Sequence, residues 1–197
     1  DGSGNGQANN DRVGLAHYAI MGNQTEVLDL LREYGSGLNE RTYAGQRPLY
    51  LAIKERKLEM VRYLLEHKVS LADLNSIGCS GLHEAALVGW KEGADLLLKH
   101  GLKIDARCAT THFRPIHMAA FANDLEMVKH LVKRNAYVDA ESDSTGTALH
   151  IAAREGRLEL ARYLRGQGAS PDTESRSIRY TPLHFASEPW CVMTGNR

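Results

Sequence analysis

The sequence predicts an all-α solenoid of stacked helix-turn-helix units joined by short linkers. Three observations carry that expectation. A seven-residue phrase occurs six times, as GLAHYAI at Gly14, RPLYLAI at Arg47, SGLHEAA at Ser80, RPIHMAA at Arg114, TALHIAA at Thr147 and TPLHFAS at Thr181. Its starts lie 33 or 34 residues apart, and self-similarity at such a period marks a repeat architecture. The sixth position of the phrase is always alanine: Ala19, Ala52, Ala85, Ala119, Ala152 and Ala186. Alanine suits a helix face that a neighbouring helix approaches too closely for a larger side chain. A second apolar pattern follows the phrase, for example Leu58, Met60, Val61, Leu64 and Leu65, spaced as the buried stripe of a second helix.

In chain order, residues 1–12 read as a flexible lead-in, rich in Gly and Asn and lacking the apolar run of a secretory signal. Residues 13–187 form the repeat domain, with units starting near 14, 47, 80, 114, 147 and 181. Unit one opens Gly14-Leu15-Ala16 without a capping residue or proline, as expected of a terminal unit covered on one side only. Ser80, Thr147 and Thr181 stand where a hydroxyl caps a helix start. Pro48, Pro115 and Pro182 take the first helical position, where the missing amide would have had no partner anyway. Gly35, Gly101, Gly168 and Asn135 follow second helices, as residues that tolerate the left-handed conformation closing a helix, and Lys68 breaks the rule in unit two. One-residue insertions fall in the linkers before Arg114 and Thr181, where loops absorb them. Residues 188–197 read as a tail or a truncated sixth repeat. Without a second helix there, Leu160, Ala161 and Leu164 of unit five are expected to be uncovered. Either Trp190, Val192 and Met193 fold back over them or the parent protein continues, and continuation is the favoured expectation.

Composition narrows the function. The chain has 197 residues, with 24 Lys and Arg against 24 Asp and Glu, and a pI of about 7.3. That balance argues against a polyanion as main partner, because binding through phosphates needs a surplus of cations. No apolar stretch approaches the roughly 20 residues of a membrane-spanning helix. Cys79, Cys108 and Cys191 cannot all pair within one chain and form no CxxC unit, so a disulfide is not expected and a reducing, intracellular, cytoplasmic setting is.

The recurring phrase, with its Thr-Pro-Leu-His-x-Ala form clearest at Thr181, resembles the signature of the ankyrin-repeat family. The resemblance covers residues 14–187. It implies that the linkers, such as 39–46 and 139–146, project as fingers at right angles to the helices. It also implies that the family histidine, here His17, His83, His117, His150 and His184 with Tyr50 as the exception, makes hydrogen bonds that lock neighbouring turns.

Those histidines are not expected to bind a metal, nor is any cofactor expected. Stacked helices sit about 8 to 10 Å apart, whereas two nitrogens on one zinc must nearly touch. Cys79 with His83, and Cys191 with His184, are weighed as nucleophile and base and set aside, since both histidines belong to the repeated series. There is no phosphate-cradling glycine motif.

In the family, the variable positions are the finger tips and the pair of residues just after the first helix's Ala-Ala, which line a groove. Here units three and four place Leu87, Val88 and Phe121 at these positions, with Ile77, Phe113 and Tyr180 on nearby fingers, Trp90 close by, and the charged pair Arg154 and Glu155 in unit five. An apolar patch with aromatic anchors marks a binding site. The competing expectation is that Trp90 or Phe121 tucks between units as packing. The function expected is a non-catalytic, monomeric scaffold that holds a segment of another protein. The alternative is a regulatory or targeting segment of a larger enzyme or multidomain protein.

Overall fold

The computed structural model describes residues 14–35, 37–71 and 75–187, and its helices fall in the expected hairpins. They are α1 (Leu15–Met21) with α2 (Thr25–Glu33), α3 (Pro48–Lys54) with α4 (Leu58–Glu66), and α5 (Gly81–Leu87) with α6 (Lys91–Lys99). Next come α7 (Pro115–Phe121) with α8 (Leu125–Lys133), α9 (Ala148–Arg154) with α10 (Leu158–Gly166), and finally α11 (Pro182–Ser187). The lead-in expected over 1–12, and the tail with Trp190, Cys191, Val192 and Met193, lie outside the described residues.

Each first helix is short because the chain turns back at a left-handed residue just beyond it: Asn23, Arg56, Gly89, Asn123 and Gly156 all have positive φ. The first helices stack side by side, α1 on α3, α3 on α5, α5 on α7, α7 on α9 and α9 on α11. The repeating alanine sits at that contact. Ala52, Ala85 and Ala119 are fully buried, whereas Ala186, with no further unit described beside it, is exposed. One continuous core runs through the stack, built on Ile20, Leu28, Ile53, Leu64, Leu82, Leu97, Ile116, Leu131 and Ile151.

Lys68 does not break the closing rule. It takes φ of 54° where Gly35, Gly101 and Gly168 take 76°, 93° and 91° and Asn135 takes 65°. The unit therefore ends the same way, with a β-carbon where the left-handed conformation disfavours one.

The fingers close on themselves through Thr42 N–H to Gln46 O (2.9 Å), Cys108 N–H to Phe113 O (2.9 Å), Ser142 N–H to Gly146 O (2.9 Å) and Ser175 N–H to Tyr180 O (2.8 Å). The closures at Cys108 and Ser175 span one residue more than the other two, so the two insertions lie inside those fingers.

Two expectations need correction. The absence of a disulfide does not hold: Cys79 and Cys108 are bonded, with Cα atoms 4.2 Å apart. Sequence spacing hid this because the stack brings the end of one finger beside the base of the next, 29 residues on. The argument from cysteine usage to a reducing compartment loses its premise. Secondly, Leu160 and Leu164 are already buried within unit five. The open apolar side chains at that end include Leu183, 76% exposed, and Leu158, 59% exposed, the latter beside a shallow cleft of about 280 Å³ lined by Ala152, Ala153, Gly156, Arg157, Leu158, Ala161 and Ala186. Among the described residues no helix is long and apolar enough to cross a membrane.

Candidate partner-binding face

The histidine series forms rungs between fingers and helices. His83 Nδ1 accepts from Ser80 N–H at 3.1 Å, His117 from Arg114 at 3.0 Å, His150 from Thr147 at 3.0 Å and His184 from Thr181 at 3.1 Å. With its Nδ1 lone pair engaged, each ring carries its proton on Nε2. That proton goes to a carbonyl of the next finger: His83 to Phe113 O (2.9 Å), His117 to Gly146 O (3.1 Å) and His150 to Tyr180 O (2.9 Å). Burial pushes the His83 and His150 imidazoles down, and His117 down to about 4, because a charged ring would be stripped of water.

The hydroxyls of Ser80 and Thr147 lie 2.9 Å from the same Nδ1 atoms, an approach that resembles a nucleophile beside its base. Both hydroxyls are buried, and the imidazoles are oriented by carbonyls rather than carboxylates. These groups hold helix starts in place.

At unit two the rung is replaced. Tyr50 stands in the histidine position, and its phenol interacts with the carboxyl of Glu84 in unit three. Glu84 is only 6% exposed; burial pushes its carboxyl up and, with Glu84 beside it, the Tyr50 phenol up to about 12. Tyr50 was legible in the sequence as an exception, but Glu84 was missed. The signal available was the spacing, since residues one repeat apart become neighbours.

The predicted site residues divide. Leu87, at the end of α5, is 42% exposed, and Ile77, on its finger, 39%. Val88 is half-buried against the core, and its carbonyl accepts from Arg56. Phe113 and Phe121 meet edge to face, 5.4 Å between centroids, and the Arg154 guanidinium lies over the Phe121 ring, 5.6 Å from its centroid, while its Nε donates to Glu155 at 3.1 Å. These four side chains form one half-buried row from unit four to unit five. Tyr180 packs separately, against His184 and Phe185.

Trp90 does not belong to this face. It is 7% exposed and part of the core, its ring lying back over Gly93, where a β-carbon would collide with it. The packing alternative is the correct one for Trp90. What sequence could have shown is the glycine three residues on, inside a helix that otherwise has no use for one.

Cys79, His83 and Cys108 are all buried, with candidate ligand atoms within 4.8 Å of one another. Sequence spacing did not assemble this trio. The residues do not fit a metal ion as they stand, because the sulfurs are joined as a disulfide and neither His83 nitrogen is free. Elsewhere, a cleft of about 570 Å³ at the turns of units one and two is lined by Asn23, Thr25, Arg56, Lys57, Leu58, Glu59 and Met60. It includes none of the predicted site residues.

Hairpins stacked at a 33-residue period and tied by repeated imidazole rungs define a helical-repeat solenoid. A family profile described as ankyrin repeats, in three copies, matches residues 16–108, 83–175 and 116–192; the chain belongs to the ankyrin-repeat family. It is 33% identical over 178 residues to the nuclear factor NF-kappa-B p105 subunit of Gallus gallus, covering 87% of this chain and 18% of that protein. It is 32% identical over 165 residues to the B-cell lymphoma 3 protein homolog of Mus musculus, covering 82% and 37%. The crystal structure of the ankyrin repeat domain of Bcl-3, a member of the IkappaB protein family, superposes with a TM-score of 0.75 at 30% identity, over 88% of this chain and 77% of that one. The chain thus spans less than two fifths of the length of these two curated relatives. Membership carries the coarse function of the family, protein binding.

Proposed function

We propose that the chain is a non-catalytic scaffold that binds a segment of another protein across units three to five. The observation that carries this reading is the exposed Leu87 at the end of α5 together with the half-buried row of Phe113, Phe121 and Arg154. Phe121, partly buried against the core, lies beside Phe113 and under Arg154, side chains of the types that anchor a partner. Large aromatic and arginine side chains dominate interface energetics. Arg154 and Glu155 add a charged flank suited to a segment that is apolar in the middle and polar at one end. The chain binds as a monomer and without a cofactor in this reading, and its zero net charge disfavours nucleic acid as the ligand.

A second reading, a regulatory or targeting segment within a larger protein, is favoured by the small fraction of its relatives that the chain covers. The two are separated by the length of the native reading frame and by whether a catalytic domain lies in it.

Affinity capture tests the scaffold reading. Proteins retained by the wild-type chain are compared with those retained by the double variant Leu87→Arg, Phe121→Arg, with unfolding midpoints measured on both. A folded variant that loses the retained proteins supports the reading. An unfolded one shows the two side chains to be core, and a folded one retaining the same proteins places the partner elsewhere, first at Arg154 and Glu155 or at the Tyr180 finger.

A further inference from the structure

We propose that Cys79 and Cys108 form a thiol–disulfide site that locks unit three to unit four, closed by a disulfide oxidant and opened by a thiol reductant. The inference is independent of which partner the chain binds.

The first argument comes from the repeat itself. At the base of the other fingers, the place of Cys108 is taken by Thr42, Asn75, Ser142 and Ser175, whose side-chain oxygens each accept a backbone N–H from their own finger. Thr42 accepts from Gln46 (3.2 Å), Asn75 from Cys79 (3.0 Å), Ser142 from Thr145 (3.2 Å) and Ser175 from Tyr180 (3.3 Å). A thiol performs that task poorly, being a weak acceptor. Cys108 therefore gives up the turn-forming bond of its position, and what the structure puts in its place is a bond to Cys79 in the preceding unit.

The second argument is location. Cys79 directly precedes the Ser80 start of α5, and Cys108 opens the finger that ends at Phe113. The same junction is sewn by Ala109 N–H to Gly78 O (3.1 Å), Thr110 Oγ1–H to Ile77 O (3.1 Å) and His83 Nε2–H to Phe113 O (2.9 Å). Among the described residues this is the one junction between units with a covalent link. Both cysteines are buried, so exchange requires the two fingers to part, and those three hydrogen bonds set how often they do.

The chemistry balances with a low-molecular-weight disulfide such as oxidised glutathione. One cysteine thiolate attacks it and releases one glutathione thiol. The second cysteine thiolate attacks the mixed disulfide and releases the other. Two thiol groups of the chain lose two electrons and two protons, and the oxidant gains them as two thiols. Reduction by a dithiol runs the same exchange backwards.

The test uses the full chain, equilibrated with oxidised glutathione or with dithiothreitol, then blocked with N-ethylmaleimide and mapped by mass spectrometry. The oxidised chain is expected to lose two hydrogens and to yield a Cys79–Cys108 cross-linked peptide. Reduction is expected to lower the thermal midpoint by roughly 5 to 10 °C, the usual scale for a native disulfide in a chain of this size, and to speed hydrogen exchange at the Ala109 amide. Cys108→Ser, which installs the residue that Ser142 and Ser175 already use, is expected to fold and to show the lower midpoint in both buffers. Alkylation of both cysteines after oxidation, or a midpoint indifferent to dithiothreitol, would overturn the proposal. So would stoichiometric binding of zinc chloride by the reduced chain that Cys108→Ser abolishes, since the trio with His83 would then be a metal centre.

Discussion

The Tyr50 phenol and the Glu84 carboxyl interact across the junction of units two and three, where units one, three, four and five carry an imidazole bonded to the next finger. Removing one partner strands the other, which costs more than removing both. Tyr50→Phe is therefore expected to lower stability by about 1 to 3 kcal/mol, and the double variant Tyr50→Phe, Glu84→Met to recover part of that loss. Urea unfolding of the wild type, both single variants and the double variant gives the coupling. Single-variant losses that simply add would mean the two groups do not act as a pair.

The imidazole rungs make the fold sensitive to acid. His117 ionises near 4 in the folded chain, held down first by desolvation and also by the Arg114 charge, against about 6.5 when unfolded. Below pH 6.5 the unfolded state binds more protons than the folded one, so stability falls as pH drops from about 6.5 towards 4. At pH 5 the His117 contribution lost is about 2 kcal/mol, with His83 and His150 acting in the same direction. Glu84, whose carboxyl is pushed up, acts in the opposite direction. His117→Gln is expected to be less stable at pH 7 and to show a shallower loss between pH 7 and pH 5 than wild type. Parallel curves for the two proteins would show that His117 is not a source of the pH dependence.

Lys68 closes unit two with a φ of 54°. Lys68→Gly removes the β-carbon that this conformation disfavours but adds freedom to the unfolded chain, leaving an expected gain of about 0.5 to 1 kcal/mol. The thermal midpoint should rise, and a fall would mean that the lysine side chain itself contributes to the closure.

Gly93 lies under the Trp90 ring, with no space for a β-carbon. Gly93→Ala, ordinarily a favourable change within a helix, is expected to destabilise by about 1 to 3 kcal/mol through overpacking. A chain stabilised by the substitution would show that the indole swings out easily, and Trp90 would return to the list of candidate partner contacts.

Repeat period, helix pairs and histidine rungs were legible because each is a pattern along one chain. Ala52 and Ala85 announce their close contact by recurring, and Tyr50 announces itself by failing to match. Pairs that cross a junction were not legible in the same way. Cys79 with Cys108 and Tyr50 with Glu84 are single occurrences about one repeat apart, and only the stacking of the hairpins brings them together. Trp90 was misassigned because proximity in sequence to Leu87 and Val88 says nothing about the direction of its ring, which the missing side chain of Gly93 decides. Leu87 and Ile77 were placed correctly on the surface, because their positions carry no repeating apolar requirement.

The most direct measurement of the central claim is hydrogen–deuterium exchange of the chain alone and saturated with a protein recovered by capture on it. The account expects added protection concentrated in 77–88 and 109–122, with a smaller effect at 154–155, while the second helices α4, α6 and α8 exchange as before. Protection confined to those second helices, or to the Leu158 end of the stack, would contradict it.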